Sequence, residues 1–167
     1  MSAGIAVRPA GALDVPVIAA LHEVCFADGI GGAVWSAAAI AKILALPTTY
    51  GFLALSDAGS APDRDPRPLG FALGRGAVEE AEILSLGVDP TARRAGLGRA
   101  LLAALLSQAV DHGARQLFLE VAEDNRAALG LYGAFGFGQI GRRPGYYERA
   151  GGRAAALVLA LDLPPRS

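Results

Sequence analysis

One cysteine, Cys25, occurs in the 167 residues, so no internal disulfide can form and a reducing compartment is permitted. A basic surplus is also missing: 15 Lys and Arg against 16 Asp and Glu leave a net charge of −1. A general nucleic-acid footprint needs such a surplus, so no nucleic-acid partner is expected. No apolar run approaches the ~20 residues that span a bilayer, and the N-terminus lacks a leader's charged start, apolar core and cleavage site. The expectation is therefore a cytoplasmic protein with no membrane partner. What is present is apolar: 53% hydrophobic against 19% charged residues argues against extensive disorder. The length suits a single domain, 1–167, with a core of its own.

Two nucleotide-binding signatures are absent as well. A P-loop needs G-x-x-x-x-G-K followed by Ser or Thr, and none occurs. A dinucleotide fingerprint needs a third glycine after Gly96 and Gly98, and Leu101 stands there. The chain does have an apolar run, Ile83, Leu84, Leu86 and Val88, of strand length. Asp89-Pro90 stops it. Arg93-Arg94-Ala95-Gly96-Leu97-Gly98-Arg99 follows, and then a helix in which Leu101, Leu102, Leu105, Leu106 and Val110 fill one side until Gly113. Two glycines let the backbone turn sharply and approach a ligand, and the first amides of the helix are unpaired at the positive end of its dipole. This geometry binds phosphate. On spacing alone, a tight strand-to-helix connection with no ligand is the competing reading.

Elsewhere, Ile5–Arg8 predicts a first strand. Asp14 is placed to cap a helix running to Phe26 with Val17, Ile18, Leu21 and Val24 inward, and Ser36 to cap a second with Ile40, Ile43 and Leu44 inward, ended by Pro47. Between them, Ala27–Val34 is a glycine-rich loop. Tyr50–Leu55 and Leu69–Arg75 predict strands joined by a prolyl loop, Asp57–Pro68. Gln116–Val121 is another buried strand, and Asp124 or Asn125 caps a helix from Arg126 to Phe135, stopped by Gly136. Phe137–Arg142 and Ala155–Leu163 are expected as the last strands, separated by Arg143–Arg153. The central strand–helix–strand unit requires parallel pairing, so the fold class is an α/β (α+β) mixed sheet flanked by helices.

Arg93-x-x-Gly96-x-Gly98 resembles the [Gln/Arg]-x-x-Gly-x-[Gly/Ala] signature of the GNAT acetyltransferase superfamily, with its strand before and helix after. Leu119-Glu120-Val121, Asn125, Ala127-Ala128, Leu131-Tyr132 and Gly136-Phe137 resemble the RimI-type branch, which acetylates the N-terminal alanine of a ribosomal protein. Arg142-Arg143-x-x-Tyr146-Tyr147 is similar to the tail of that branch, and Phe26 with Trp35-Ser36 to its F-x-W-S segment. The resemblance is dense from Glu82 to Tyr147 and sparse before Gly76. It implies a GNAT-like fold of about seven strands and about four helices, and direct transfer from acetyl-CoA, without a metal, to a protein N-terminus, acting as a monomer. It implies that Leu86, Gly87 and Val88 contact the acetyl-pantetheine end, that Arg93, Arg94, Ala95, Gly96, Leu97, Gly98 and Arg99 hold the phosphates, and that Asn125 bonds the pantetheine arm.

Amine acetylation needs a base, because an α-amino group of pKa about 7.7–8.0 is mostly protonated at pH 7. It also needs a polarised thioester carbonyl and a proton for the departing thiolate. Glu120 interrupts an apolar strand, and alternation places it opposite Leu117, Leu119 and Val121. A carboxylate there is costly unless it faces a cleft or a partner such as an arginine. The resemblance makes Glu120 the base and Tyr132 the acid. The residues alone leave Tyr132 open as an amphipathic core tyrosine, and Tyr146 and Tyr147 as either acceptor-cleft or surface aromatics. Trp35, Tyr146 and Tyr147 are the candidate acceptor-binding residues. Glu79, Glu80 and Glu82 read as a solvated strand end, His22 and His112 as surface residues, and Cys25 as a buried apolar group. The family pattern is interrupted between Phe26 and Trp35 by Ala27–Val34, which leaves the acceptor less defined than the cofactor.

Overall fold

The computed structural model describes residues 4–56 and 65–167. Seven strands form one sheet in the order β1-β2-β3-β4-β5-β7-β6. They are β1 (Ile5–Ala10), β2 (Thr49–Ser56), β3 (Pro68–Ala77), β4 (Glu80–Val88), β5 (Gln116–Ala122), β6 (Gly138–Arg149) and β7 (Gly152–Asp162). The helices are α1 (Val15–Cys25), α2 (Ala37–Leu44), α3 (Leu97–Asp111) and α4 (Arg126–Ala134). The expected mixed sheet with four helices is therefore observed. No helix among the described residues is long and apolar enough to cross a membrane.

The period-2 alternation of β2 and β3 divides the core between the two faces of the sheet. Phe52, Ala54 and Ala72 point to one face and pack with Leu97, Leu101, Leu102 and Leu105 of α3. Leu53, Phe71 and Leu73 point to the other face and pack with Ile18, Leu21 and Cys25 of α1 and Ile40 of α2. Ser36 caps α2, its Oγ accepting from Ala39 N at 3.1 Å. Gly113 takes φ +85° just beyond α3, where a Cβ would be strained.

Several sequence expectations need correction. Asp14 sits at the α1 N-cap, but its carboxylate accepts from Gly11 N and pairs with Arg8 at 2.8 Å, so it makes no side-chain cap. Val24 is exposed, and His22 is fully buried in its stead. The segment Arg143–Arg153 is no connector: β6 extends through most of it, with a register shift between Arg143 and Tyr147, and pairs Arg149 with Gly152 across a tight hairpin. The extension carries Tyr146 and Tyr147. The prolyl loop lies outside the described residues over positions 57–64.

Two irregularities position the site. β4 and β5, the parallel pair, are matched only at Glu80↔Gln116, Ala81↔Leu117 and Glu82↔Phe118, and separate beyond that point. In β4 a bulge lets Leu84 stand without a partner between Ile83↔Gly74 and Ser85↔Leu73. An extra residue reverses the alternation downstream. Ile83 faces α3, whereas Leu84 and Ser85 both turn toward α1, and Leu86 and Val88 return to the α3 face.

Candidate active site

Beyond Glu82, β4 is paired with β3 on one side and, among the described residues, has no strand on the other. Such an open edge accepts an extended chain by strand addition. At its end Asp89 Oδ1 accepts from Thr91 N at 2.9 Å and Thr91 Oγ1 at 2.7 Å, bonds that hold its carboxyl below the usual range. The chain then turns through Arg94 at φ +66° and Gly96 at φ +85° before α3 begins. The backbone N–H groups from Arg93 to Arg99 donate to no protein acceptor among the described residues. They sit at the positive end of a 15-residue helix, beside the exposed Arg93, Arg94 and Arg99. A row of unpaired amides on a tight turn suits a pyrophosphate.

The gap between β4 and β5 is the floor of a cleft of about 1240 Å³. It is lined by Leu86, Gly87 and Val88, by Arg93, Arg94, Gly96, Leu97, Gly98 and Arg99, by Glu120, Asn125 and Tyr132, and by Trp35, Tyr146 and Tyr147. Of the residues assigned to the site from the sequence, Ala95 alone does not line it. Of the acidic cluster, Glu82 pairs with Arg75 and lines the cleft, and Glu79 and Glu80 are exposed and do not line it.

Glu120 and Tyr132 reach the gap from opposite faces of the sheet. Leu117, Leu119 and Val121 of β5 join the core under α3, so alternation sends Glu120 to the α1 face. Its side chain is 27% exposed and pairs with Arg143 Nη2 at 3.0 Å. It therefore faces the cleft and has an arginine partner at once. Tyr132, on α4, packs in the α3-face core with its ring edge-on to Phe137 at 5.5 Å. Burial, with a smaller contribution from Tyr147, pushes its phenol well above the ordinary value, so it keeps its proton across the neutral range. Asn125 caps α4, its Oδ1 accepting from Ala128 N at 3.3 Å, which leaves its side-chain NH2 free of that bond.

The wall that carries Tyr146 and Tyr147 is built by residues far apart in sequence. Tyr147 is half-buried, and its phenol is raised first by burial and then by the Glu120 charge. Tyr146 is edge-on to it at 5.1 Å. Arg149 joins three segments. Its Nε and Nη2 bond both oxygens of Asp124 at 2.8 Å, its Nη1 bonds Gly29 O at 3.2 Å and Glu148 O at 2.9 Å, and its Nη2 bonds Ile30 O at 2.9 Å. That uses all five guanidinium donors. The inserted loop is thereby tied to β6 and to the turn before α4.

The sequence reading missed His22, Ser85, Arg143, Arg149 and Arg126, all of which line the cleft or hold its wall. A signal existed for His22: it lies four residues after Ile18 and three before Cys25, on the buried stripe of α1. Ser85 could not be assigned a face without the bulge. Arg143 and Arg149 find their partners only across the tertiary structure.

The splayed parallel pair, the amide-lined turn and the carboxylate and phenol at the gap define an acyl-transfer fold. The description "Acetyltransferase (GNAT) family" matches residues 28–137, and the chain belongs to that family. Over 93 residues it is 39% identical to the [ribosomal protein bS18]-alanine N-acetyltransferase of Escherichia coli strain K12, a match covering 56% of this chain and 63% of that protein. The crystal structure of the E. coli ribosomal-protein-S18-alanine N-acetyltransferase superposes with TM-score 0.82 at 26% identity, covering 98% of this chain and 97% of the other. The phosphinothricin acetyltransferase of Sinorhizobium meliloti, solved with AcCoA, superposes with TM-score 0.79, covering 98% and 89%. At 22% identity, that likeness speaks for the fold alone.

Proposed function

We propose that the protein moves the acetyl group of acetyl-CoA directly to the α-amine of a protein N-terminus, with the N-terminal alanine of a small-subunit ribosomal protein as acceptor. The observation that carries this reading is that Glu120 and Tyr132 line the β4–β5 gap from opposite faces of the sheet, beside an open strand edge that leads to an amide cradle. The residues fit acetyl-CoA: the β4 edge suits the pantetheine arm, Gly96 takes a φ of +85° that a Cβ would strain, and Arg93, Arg94 and Arg99 surround the anion site. The name of the E. coli relative supports the choice of acceptor.

Acetyl-CoA supplies the activated acetyl thioester. Glu120 takes a proton from the incoming ammonium, directly or through water, and the free amine forms the new C–N bond. The backbone N–H of Val88 polarises the carbonyl. As the C–S bond breaks, Tyr132 gives its phenolic proton to the sulfur, the second proton released by the acylated nitrogen restores the phenol, and the proton held by Glu120 passes to water. A phenol kept protonated by burial is suited to that step. Cys25 lies buried with its thiol pushed up to about 11, so it is poorly ionised at neutral pH and no acyl-enzyme is invoked.

Incubation with acetyl-CoA and a peptide copying the ribosomal-protein N-terminus, read by mass spectrometry, tests the reading. The expected product is a single acetyl group on the α-amine. Good turnover of small amines with no peptide acetylation would replace it with a small-molecule acetyltransferase. Coenzyme A binding with no transfer to any amine would replace it with a binding module.

A further inference from the structure

The steps above use neither His22 nor Ser85, yet these two residues form a buried polar pair beneath the acceptor side of the cleft. His22 has no exposed surface. Its ring is stacked on Phe26 at 4.1 Å and on Trp35 at 5.1 Å, and Phe71 closes over it at 5.5 Å. A histidine placed there for packing alone would leave two nitrogens unsatisfied, at a cost that proteins rarely tolerate. Here both are used. Trp35 N–H donates to Nδ1 at 3.1 Å, and Nε2 lies 3.3 Å from Ser85 Oγ.

These contacts determine the tautomer. A backbone N–H can only donate, so Nδ1 carries no proton and the ring hydrogen is on Nε2. Nε2–H therefore donates to Ser85 Oγ. The hydroxyl hydrogen of Ser85 cannot point back at His22, and it has no other acceptor among the described residues. Ser85 lines the cleft. It stands on the α1 face because of the β4 bulge, and so on the same face as Glu120. Gly87 lets the strand sit this close to α1: a Cβ there would lie 2.8 Å from Phe71 Cε1 and 2.9 Å from Cys25 Cβ.

We infer that Ser85, oriented by His22, donates its hydroxyl hydrogen to the backbone carbonyl of the acceptor's first residue. The cleft would then recognise an α-amine together with the peptide carbonyl beside it. This rests on the proposed reading of the acceptor as a protein N-terminus. In an N-terminal residue the carbonyl oxygen is the acceptor nearest the amine, so a donor on the Glu120 face meets it when the amine reaches the base. A side-chain or alkyl amine carries methylenes at that place. Binding such an amine would bury the hydroxyl hydrogen unpaired, which is how a site rejects an analogue lacking a polar group. Ser85 is here a specificity-determining contact and His22 a positioning residue.

The test is steady-state kinetics on the full chain at saturating acetyl-CoA, with two acceptors. One is an alanine-initiated peptide; the other is a primary amine of similar size with methylene in place of the first carbonyl, followed as a competitive inhibitor if it is not acetylated. Ser85→Ala is expected to lower kcat/KM for the peptide about tenfold, mainly through KM, the loss of one hydrogen bond. Binding of the carbonyl-free amine should tighten, because alanine leaves no hydroxyl hydrogen to bury unpaired. Ser85→Thr should restore the peptide preference. His22→Gln, whose amide can both accept from Trp35 N and donate to Ser85, should keep more of that preference than His22→Leu. An equal loss for both acceptors in Ser85→Ala would make the pair purely structural and overturn the inference. So would an unchanged peptide KM while the wild-type chain acetylates the peptide, and that result would leave the proposed function standing. A wild-type chain that acetylates small amines and no peptide would remove the proposed acceptor and this inference together.

Discussion

The two walls of the cleft are built on different principles. The wall proposed to hold acetyl-CoA, from Leu86 to Arg99 and called here the cofactor wall, is one continuous piece of chain, and its features are backbone features: an open edge, a turn, a helix start. The wall proposed to face the acceptor, called here the acceptor wall, is assembled from pieces brought together by single side chains. Arg149 reaches Gly29 and Ile30, about 120 positions away, Ser85 meets His22, and Arg143 meets Glu120. A wall made of contiguous backbone tolerates most side-chain changes and fails at a few glycines. A wall made of long-range side-chain bonds should fail at each of its anchors. Substitutions on the two walls should therefore separate in kinetics.

The strongest test acts where the walls meet. Glu120→Gln and Tyr132→Phe are each expected to lower kcat by about 10²–10⁴, with acetyl-CoA affinity retained, since each removes a proton-transfer group rather than a binding one. Full activity in both variants would end the proposed mechanism. Next in size is a pH effect confined to the acceptor wall. Burial depresses His22 from 6.5 to about 4. A group depressed on folding contributes fully above its unfolded pKa and loses that contribution as pH falls. Stability should therefore decline between pH ~6.5 and ~4 by up to about 3 kcal/mol, and His22→Gln should flatten that part of the curve, as read by denaturant unfolding against pH.

A third experiment addresses the cofactor wall alone. Gly96→Val places a β-branched residue at φ +85°. It should raise KM for acetyl-CoA about tenfold, matching a left-handed penalty of about 1–2 kcal/mol, with peptide KM unchanged. The smallest expected effect is the mirror case. Arg149→Lys keeps the charge but loses the planar five-donor fork, so peptide KM should rise several-fold while acetyl-CoA KM holds. Equal changes in both constants for either variant would mean that the walls are not separable.

The difference between the walls also explains what could be read in the chain of letters. The β4–turn–α3 unit was legible because strand period, Pro90, two glycines and the leucine stripe act on near neighbours. Glu120 was legible because a lone carboxylate breaks an apolar strand, and Asn125 because helix caps are local. His22 was misplaced although it lay on the buried stripe of α1, because imidazole is half polar and its satisfaction depends on Trp35 N–H and Ser85, which no local rule brings near. β6 was cut short at Arg142 because prolines, glycines and charges look like a loop until β7 pairs with them.

Near-neighbour physics therefore accounts for most of the strands, the helices, the glycine-bearing turn before α3 and the lone carboxylate of Glu120 in its apolar strand, since each depends on backbone preference and periodicity within a few residues, whereas Tyr132 was singled out by the family resemblance alone. Folding contributed the separation of β4 from β5, the bulge that turns Ser85 toward His22, and the arginine ties that close the acceptor wall. Those depend on register between strands and on single long-range bonds. A register shift of one residue exchanges the faces of a strand, and nothing in its own residues announces it.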